Sequence, residues 1–143
     1  MTDPELHPED AAAMREPGEE RAGRLAQEIS NAIVGLYKEY FGKGPTRCRT
    51  YLHPDLVIVV LGGGYSKAEQ TMFAEGRWHA VRQMRQLWQD SMQGRFVDVV
   101  EGLTGRKVDA FMSANRQDPD LAVEMFVLEP QAKKEAGAHE PAA

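Results

Sequence analysis

Apolar residues change their spacing several times along the chain, and each change marks an element. From Glu19 to Phe41, Leu25, Ile29, Ile33, Leu36 and Tyr40 recur at steps of three and four, the stripe of an amphipathic helix. Gly42 or Gly44 ends that helix, and Pro45 cannot continue it. "TRCRTYLH" (46–53) then alternates, with Cys48, Thr50 and Leu52 on one face. His53-Pro54-Asp55 reads as a turn. "LVIVVL" (56–61) is apolar on both faces, which predicts a central strand, hairpinned to the strand before it.

"GGGYS" (62–66) closes the strand, and Ser66 with Glu69 forms an S-x-x-E capping box that opens a short helix. Gly76 ends or kinks it. From Arg77 a stripe of Trp78, Val81, Trp88, Met92, Phe96, Val99 and Leu103 predicts the longest helix of the protein, running to a C-cap at Gly105. "RKVDAFMS" and "LAVEMFVL" have strand composition around the loop "ANRQDPD". The stretch from Glu101 to Leu128 is therefore a helix-to-hairpin junction, with Thr104 and Arg106 placed to bond freed helix carbonyls. The order α-β-β-α-α-β-β predicts an α+β fold: a four-stranded, mainly antiparallel sheet with helices on one face. Residues 19–129 form one domain, between disordered tails at 1–18 and 130–143.

Composition adds exclusions. The 143 residues suit a single domain. Cys48 is the only cysteine, so no intramolecular disulfide forms. The N-terminus is acidic rather than apolar, unlike a secretory signal, and no run approaches the length that spans a bilayer. These features predict a cytoplasmic protein without direct membrane insertion. The net charge of −5 is unevenly placed: residues 1–20 hold seven acids against one Arg, leaving 21–128 mildly basic. That is short of a nucleic-acid footprint, so no nucleic-acid partner is expected.

Three clusters carry candidate chemistry, all for anions. "FGKGP" (41–45) offers Lys43 and the pliable backbone of Gly44, although it lacks the P-loop pattern and follows a helix. "GGGYS" sets Gly63, Gly64 and Ser66 between a strand and a helix N-terminus, where exposed N–H groups favour anions. Arg82 and Arg85, three apart on a helix, suit a carboxylate, bicarbonate or phosphate. Against each stands a plain reading: a helix cap, a turn, a solvated helix face. Cys48 with His53 lacks the further ligands of a metal site and the orienting group of a nucleophile pair, so no catalytic residue, metal site or cofactor is assigned. Trp78 and Trp88 read as core or dimer packing.

"GKGP", the strand hairpin, the S-x-x-E helix start, "VRQMR", "VEGLTGRKV" and a strand ending "EMFVL" follow one another in the order of the MpsC-like family, which residues 20–128 resemble. The family is named for the third component of a sodium-linked, membrane-potential-generating system. The resemblance implies a small bacterial accessory or regulatory protein without enzymatic activity, reaching membrane subunits for ion or inorganic-carbon transport through protein contacts. It supplies no catalytic residues. One position departs: the family commonly has Leu-Thr where this chain has Tyr65-Ser66, which keeps the cap and changes the packing beside it. A small-anion or nucleotide sensor, or an enzyme of an undescribed class, are the other readings. The apolar character of "LVIVVL" on both faces predicts a homodimer that covers the second sheet face.

Overall fold

The computed structural model describes residues 17–131; the expected tails fall almost wholly outside the described residues. The elements are α1 (Pro17–Leu36), continued by a single π turn (Tyr37–Phe41), β1 (Arg47–His53), β2 (Leu56–Gly62), α2 (Lys67–Ala74), α3 (Trp78–Ser91), α4 (Gln93–Thr104), β3 (Val108–Arg116) and β4 (Leu121–Leu128). The four strands form one antiparallel sheet in the order β1-β2-β4-β3. The α+β fold expected from the sequence is the observed one.

Alternation sorts the strand residues into two faces. Inward rows run across the sheet in register: Leu52, Val57, Phe126 and Phe111 in one, Thr50, Val59, Glu124 and Ser113 in the next. Helices α1, α3 and α4 lie over these rows, and α2 packs against α3. Ile29, Ile33 and Tyr37 of the first helix meet Phe96 and Val100 of α4 in the core. Among the described residues no helix lies over the outward rows, such as Tyr51, Ile58, Met125 and Met112.

Three expectations need correction. The single long helix from Arg77 to Gly105 is two helices, broken at Met92, whose N–H reaches both the Trp88 and Gln89 carbonyls. The chain thus has three helices between its hairpins, and the 20-residue α1 is the longest. Tyr40 does not continue the buried stripe of α1. Tyr37 keeps the four-residue step of Ile29 and Ile33 into the core, and the π turn after it, closed by Gly42 N–H on the Tyr37 carbonyl at 3.2 Å, leaves Tyr40 44% exposed. Finally, Thr104 Oγ1 does bond a helix carbonyl, that of Val100, at 2.7 Å, whereas Arg106 binds Asp55 and the carbonyls of Pro54 and Glu129. Arg106 ties the β1–β2 turn to the end of β4, a tertiary role that local sequence does not disclose.

Candidate functional site: a buried polar network

Helix α3 turns an unusual face to the core. At four-residue steps from Val81 it presents Arg85 and Gln89, 8% and 1% exposed. Arg85 grips Glu69 with two nitrogens, Nε to Oε2 at 2.5 Å and Nη2 to Oε1 at 3.0 Å, and reaches Asp120 Oδ1 at 3.3 Å. Its guanidinium also stands over the rings of Tyr65 (4.5 Å) and Phe41 (5.3 Å). Glu69 is at the same time the N3 residue of the capping box: it accepts from Ser66 N–H at 2.9 Å and donates its own N–H to Ser66 Oγ. Burial works to raise the Glu69 pKa, and the bonds from Arg85 and Ser66 prevail and hold it below the ordinary carboxylate value. For Asp120 burial prevails over Arg85, and its pKa rises.

One turn further, Gln89 meets Glu124. On β4 the inward positions are Ala122, Glu124, Phe126 and Leu128, so strict alternation drives a carboxyl into an apolar row, with no exposure at all. Glu124 Oε1 accepts from Tyr37 Oη at 2.7 Å and from Gln89 Nε2 at 2.8 Å, and Oε2 has no partner. Burial pushes Glu124 up to about 8, against the lowering effect of those two bonds. At neutral pH the group is therefore largely the neutral acid, with Oε1 as its carbonyl. The Tyr37 hydroxyl is held well above its usual value by burial and by Glu124.

The network continues outward through amides. Asn115 Nδ2 donates to Gln89 Oε1 at 3.1 Å, and Gln117 Nε2 donates to Asn115 Oδ1 at 2.6 Å. A continuous chain, Gln117 to Asn115 to Gln89 to Glu124, leads from the β3–β4 turn into the core.

The residues singled out from the sequence divide between two places. Lys43, Gly63, Gly64 and Arg85 line one small cavity with Asp120; its volume, about 20 Å³, is that of a single water position. Lys43 Nζ donates to the Tyr65 carbonyl at 2.8 Å. Gly64, at φ 98°, lies so close to the Gly44 carbonyl that a Cβ there would sit 2.9 Å from it. The two glycine loops thus pack backbone to backbone, and Ser66 is spent on its helix cap. Arg82 lies elsewhere, exposed, at a cleft beside the β3–β4 turn. Cys48 and His53, an odd number apart on β1, face opposite sides of the sheet.

Glu124, Gln89 and Tyr37 went unnoticed in the sequence. Their signal is a polar residue in an apolar phase, and it becomes readable only once the inward phase of β4 is known.

The sequence matches the family described as "Na+-translocating membrane potential-generating system (MpsC)" over residues 21–130. The chain belongs to the MpsC family. Among curated proteins it is similar to the uncharacterized Bacillus subtilis protein YrhF, at 33% identity over 71% of this chain and 85% of YrhF. It is also similar to YbcI of the same organism, at 30% identity over 62% of this chain and 73% of YbcI. No solved structure matches. Among the described residues of this MpsC-family chain, no helix is long and apolar enough to cross a membrane.

Proposed function

We propose that this protein is a non-enzymatic accessory or regulatory component of a Na+-translocating, membrane-potential-generating system, acting in the cytoplasm as a homodimer and reaching membrane subunits through protein contacts. The family's description supplies the system. The observation that carries the mode of action is the sheet face that no helix of the described residues covers. Leu56, Ile58 and Val60 of β2 pair in register with Val127, Met125 and Val123 of β4, and Ala110, Met112 and Ala114 of β3 extend the same three rows. Four strands of this length make a face roughly 25 Å by 15–20 Å at the usual rise and strand spacing. That is roughly 375–500 Å² in projection, the central part of one side of a standard interface of about 800 Å² of accessible surface. A second copy, related by a two-fold axis, offers the same apolar rows in return.

Sedimentation equilibrium of the full chain at tens of micromolar is expected to give about twice the 16.0 kDa monomer mass. A monomer mass would remove the dimer. Co-purification after gentle lysis of the native bacterium is expected to recover an ion-transporting membrane subunit, and recovery of none would count against the accessory role.

A further inference from the structure

A cleft of about 690 Å³ opens beside the β3–β4 turn, between Tyr65 at the end of the second glycine loop and Arg116 at the end of β3. Its size is that of pockets for small organic ligands. Three of its features are independent of one another. Aromatic residues line one wall: Phe73 meets Tyr65 edge to face, with centroids 4.6 Å apart, and Trp78, 40% exposed, has its ring against that of His79 at 3.4 Å between centroids. Two guanidiniums line it, Arg82 and Arg116, and neither has a carboxylate within ion-pair distance among the described residues. Arg116 spends only Nε, on the Asp118 carbonyl at 3.0 Å. Finally, Gln117 directs its amide nitrogen inward to Asn115, so its Oε1 is left as an acceptor without a donor among the described residues.

We propose that this cleft binds a small aromatic anion: a flat heterocycle with an N–H donor on its edge and a phosphate or carboxylate on a short arm. The ring lies against Trp78, the donor meets Gln117 Oε1, and the anion is held by Arg82 and Arg116. Stacking on an aromatic ring accepts any flat ring. The planar guanidinium fork selects phosphate and carboxylate. The amide acceptor adds selection for an amino- or imino-bearing edge, as it does for nucleobases. Nucleoside monophosphates combine all three groups. The space between the two glycine loops is only water-sized, and the cleft of about 580 Å³ beside Lys43 and Ser66 holds the Glu69 acid and no guanidinium in its lining, so of the residues picked from the sequence only Arg82 belongs to this site. The site is independent of the dimer and of the transport role.

Calorimetric titration of the full chain tests it, with AMP as the phosphate arm and indole-3-acetate as the carboxylate arm. Saturable binding of at least one is expected, with adenosine and inorganic phosphate each weaker by roughly 10-fold or more because each lacks one of the two anchoring groups. Trp78→Leu and Arg82→Gln are each expected to weaken binding roughly 10-fold, while Arg24→Gln, on the exposed side of α1, leaves it unchanged. Trp78 and Arg82 are solvent-exposed, and unchanged unfolding midpoints of the free variants will separate lost binding from lost fold. Absence of saturation by both probes up to about 5 mM, a range that covers weak sites, overturns the proposal. So does binding that survives both cleft substitutions.

Discussion

A carboxyl group with no exposure and one unpartnered oxygen makes stability depend on pH. Glu124 titrates near 8 in the fold and near 4.5 when unfolded, so the folded state holds the proton more tightly. Its contribution is fully present below the unfolded value and is lost as pH rises through the folded one, at up to about 1.4 kcal/mol per pH unit in between. Asp90 faces Glu124 and works in the same direction. Asp120 is raised as well and adds to the same slope at its lower end. Glu69, lowered, acts only below the ordinary carboxylate range. Urea unfolding at pH 5.5 and 7.5 is expected to show the wild type weaker at the higher pH and Glu124→Gln nearly level, since Gln keeps the acceptor that Tyr37 and Gln89 use. Equal slopes in the two proteins would show that Glu124 is already ionised. Arg85 obeys the opposite logic, because its removal strands two acids. Arg85→Ala is expected to cost about 3–5 kcal/mol, the usual penalty for halving a buried pair. Arg85→Lys should recover little, since a single ammonium cannot replace the two-nitrogen grip on Glu69. The capping box itself was legible in the sequence, as Ser66 and Glu69. Its second partner, sixteen residues on, was not, because an arginine on a helix most often faces water.

Periodicity shows where an element lies better than it shows where an element bends. The stripe of α3 ends on Met92 and that of α4 begins there, with Phe96 and Val100 at four-residue steps beyond it. The apolar pattern therefore runs unbroken through a change of helix, and the long helix expected from Arg77 divides without any loss of register. The π turn at Tyr37 leaves no trace in composition either. It adds one residue to a turn, so the inward face runs from Ile33 through Tyr37 to Phe41 and Tyr40 falls outside it. The end of α4, in contrast, was legible because it needs a glycine: Gly105 has φ 68° and donates its N–H to the Glu101 carbonyl. Gly105→Ala meets no steric neighbour within 4 Å, so its cost is purely conformational. It is expected to be about 1 kcal/mol, read as a lower urea midpoint with an unchanged slope. A loss of several kcal/mol would point to a contact at Gly105 that the backbone account omits.

The described residues form a sheet covered by helices on one face. Its four strands and their pairing were legible because β-hairpins leave local turns, His53-Pro54-Asp55 among them. Which face of each strand turns inward was not, because β2 and β4 are apolar on both sides. Ile58 stands near the middle of the open face, between Tyr51 and Met125. Ile58→Asp is expected to give a monomer in sedimentation at tens of micromolar, with far-UV circular dichroism unchanged, because no helix packs on that side. A dimer that survives the change would have to lie elsewhere, and the exposed Leu87 and Met84 of α3 would be the next surface to alter.

The amide chain from Gln117 to Glu124 has a direction. Each side-chain nitrogen along it points inward, and at Gln89 the nitrogen also holds the Ala114 carbonyl at 3.1 Å. Gln89 cannot turn over without losing both bonds, Asn115 is held the same way by Gln89 and by the Arg82 carbonyl at 3.3 Å, and Gln117 follows Asn115. What the protein shows to solvent at Gln117 is therefore inherited from its core, as a compass needle takes its sense from a distant pole. Gln89→Leu would remove the strongest hold on that sense, leaving the Arg82 carbonyl, 3.3 Å from Asn115 Nδ2, to keep the outer amides in order.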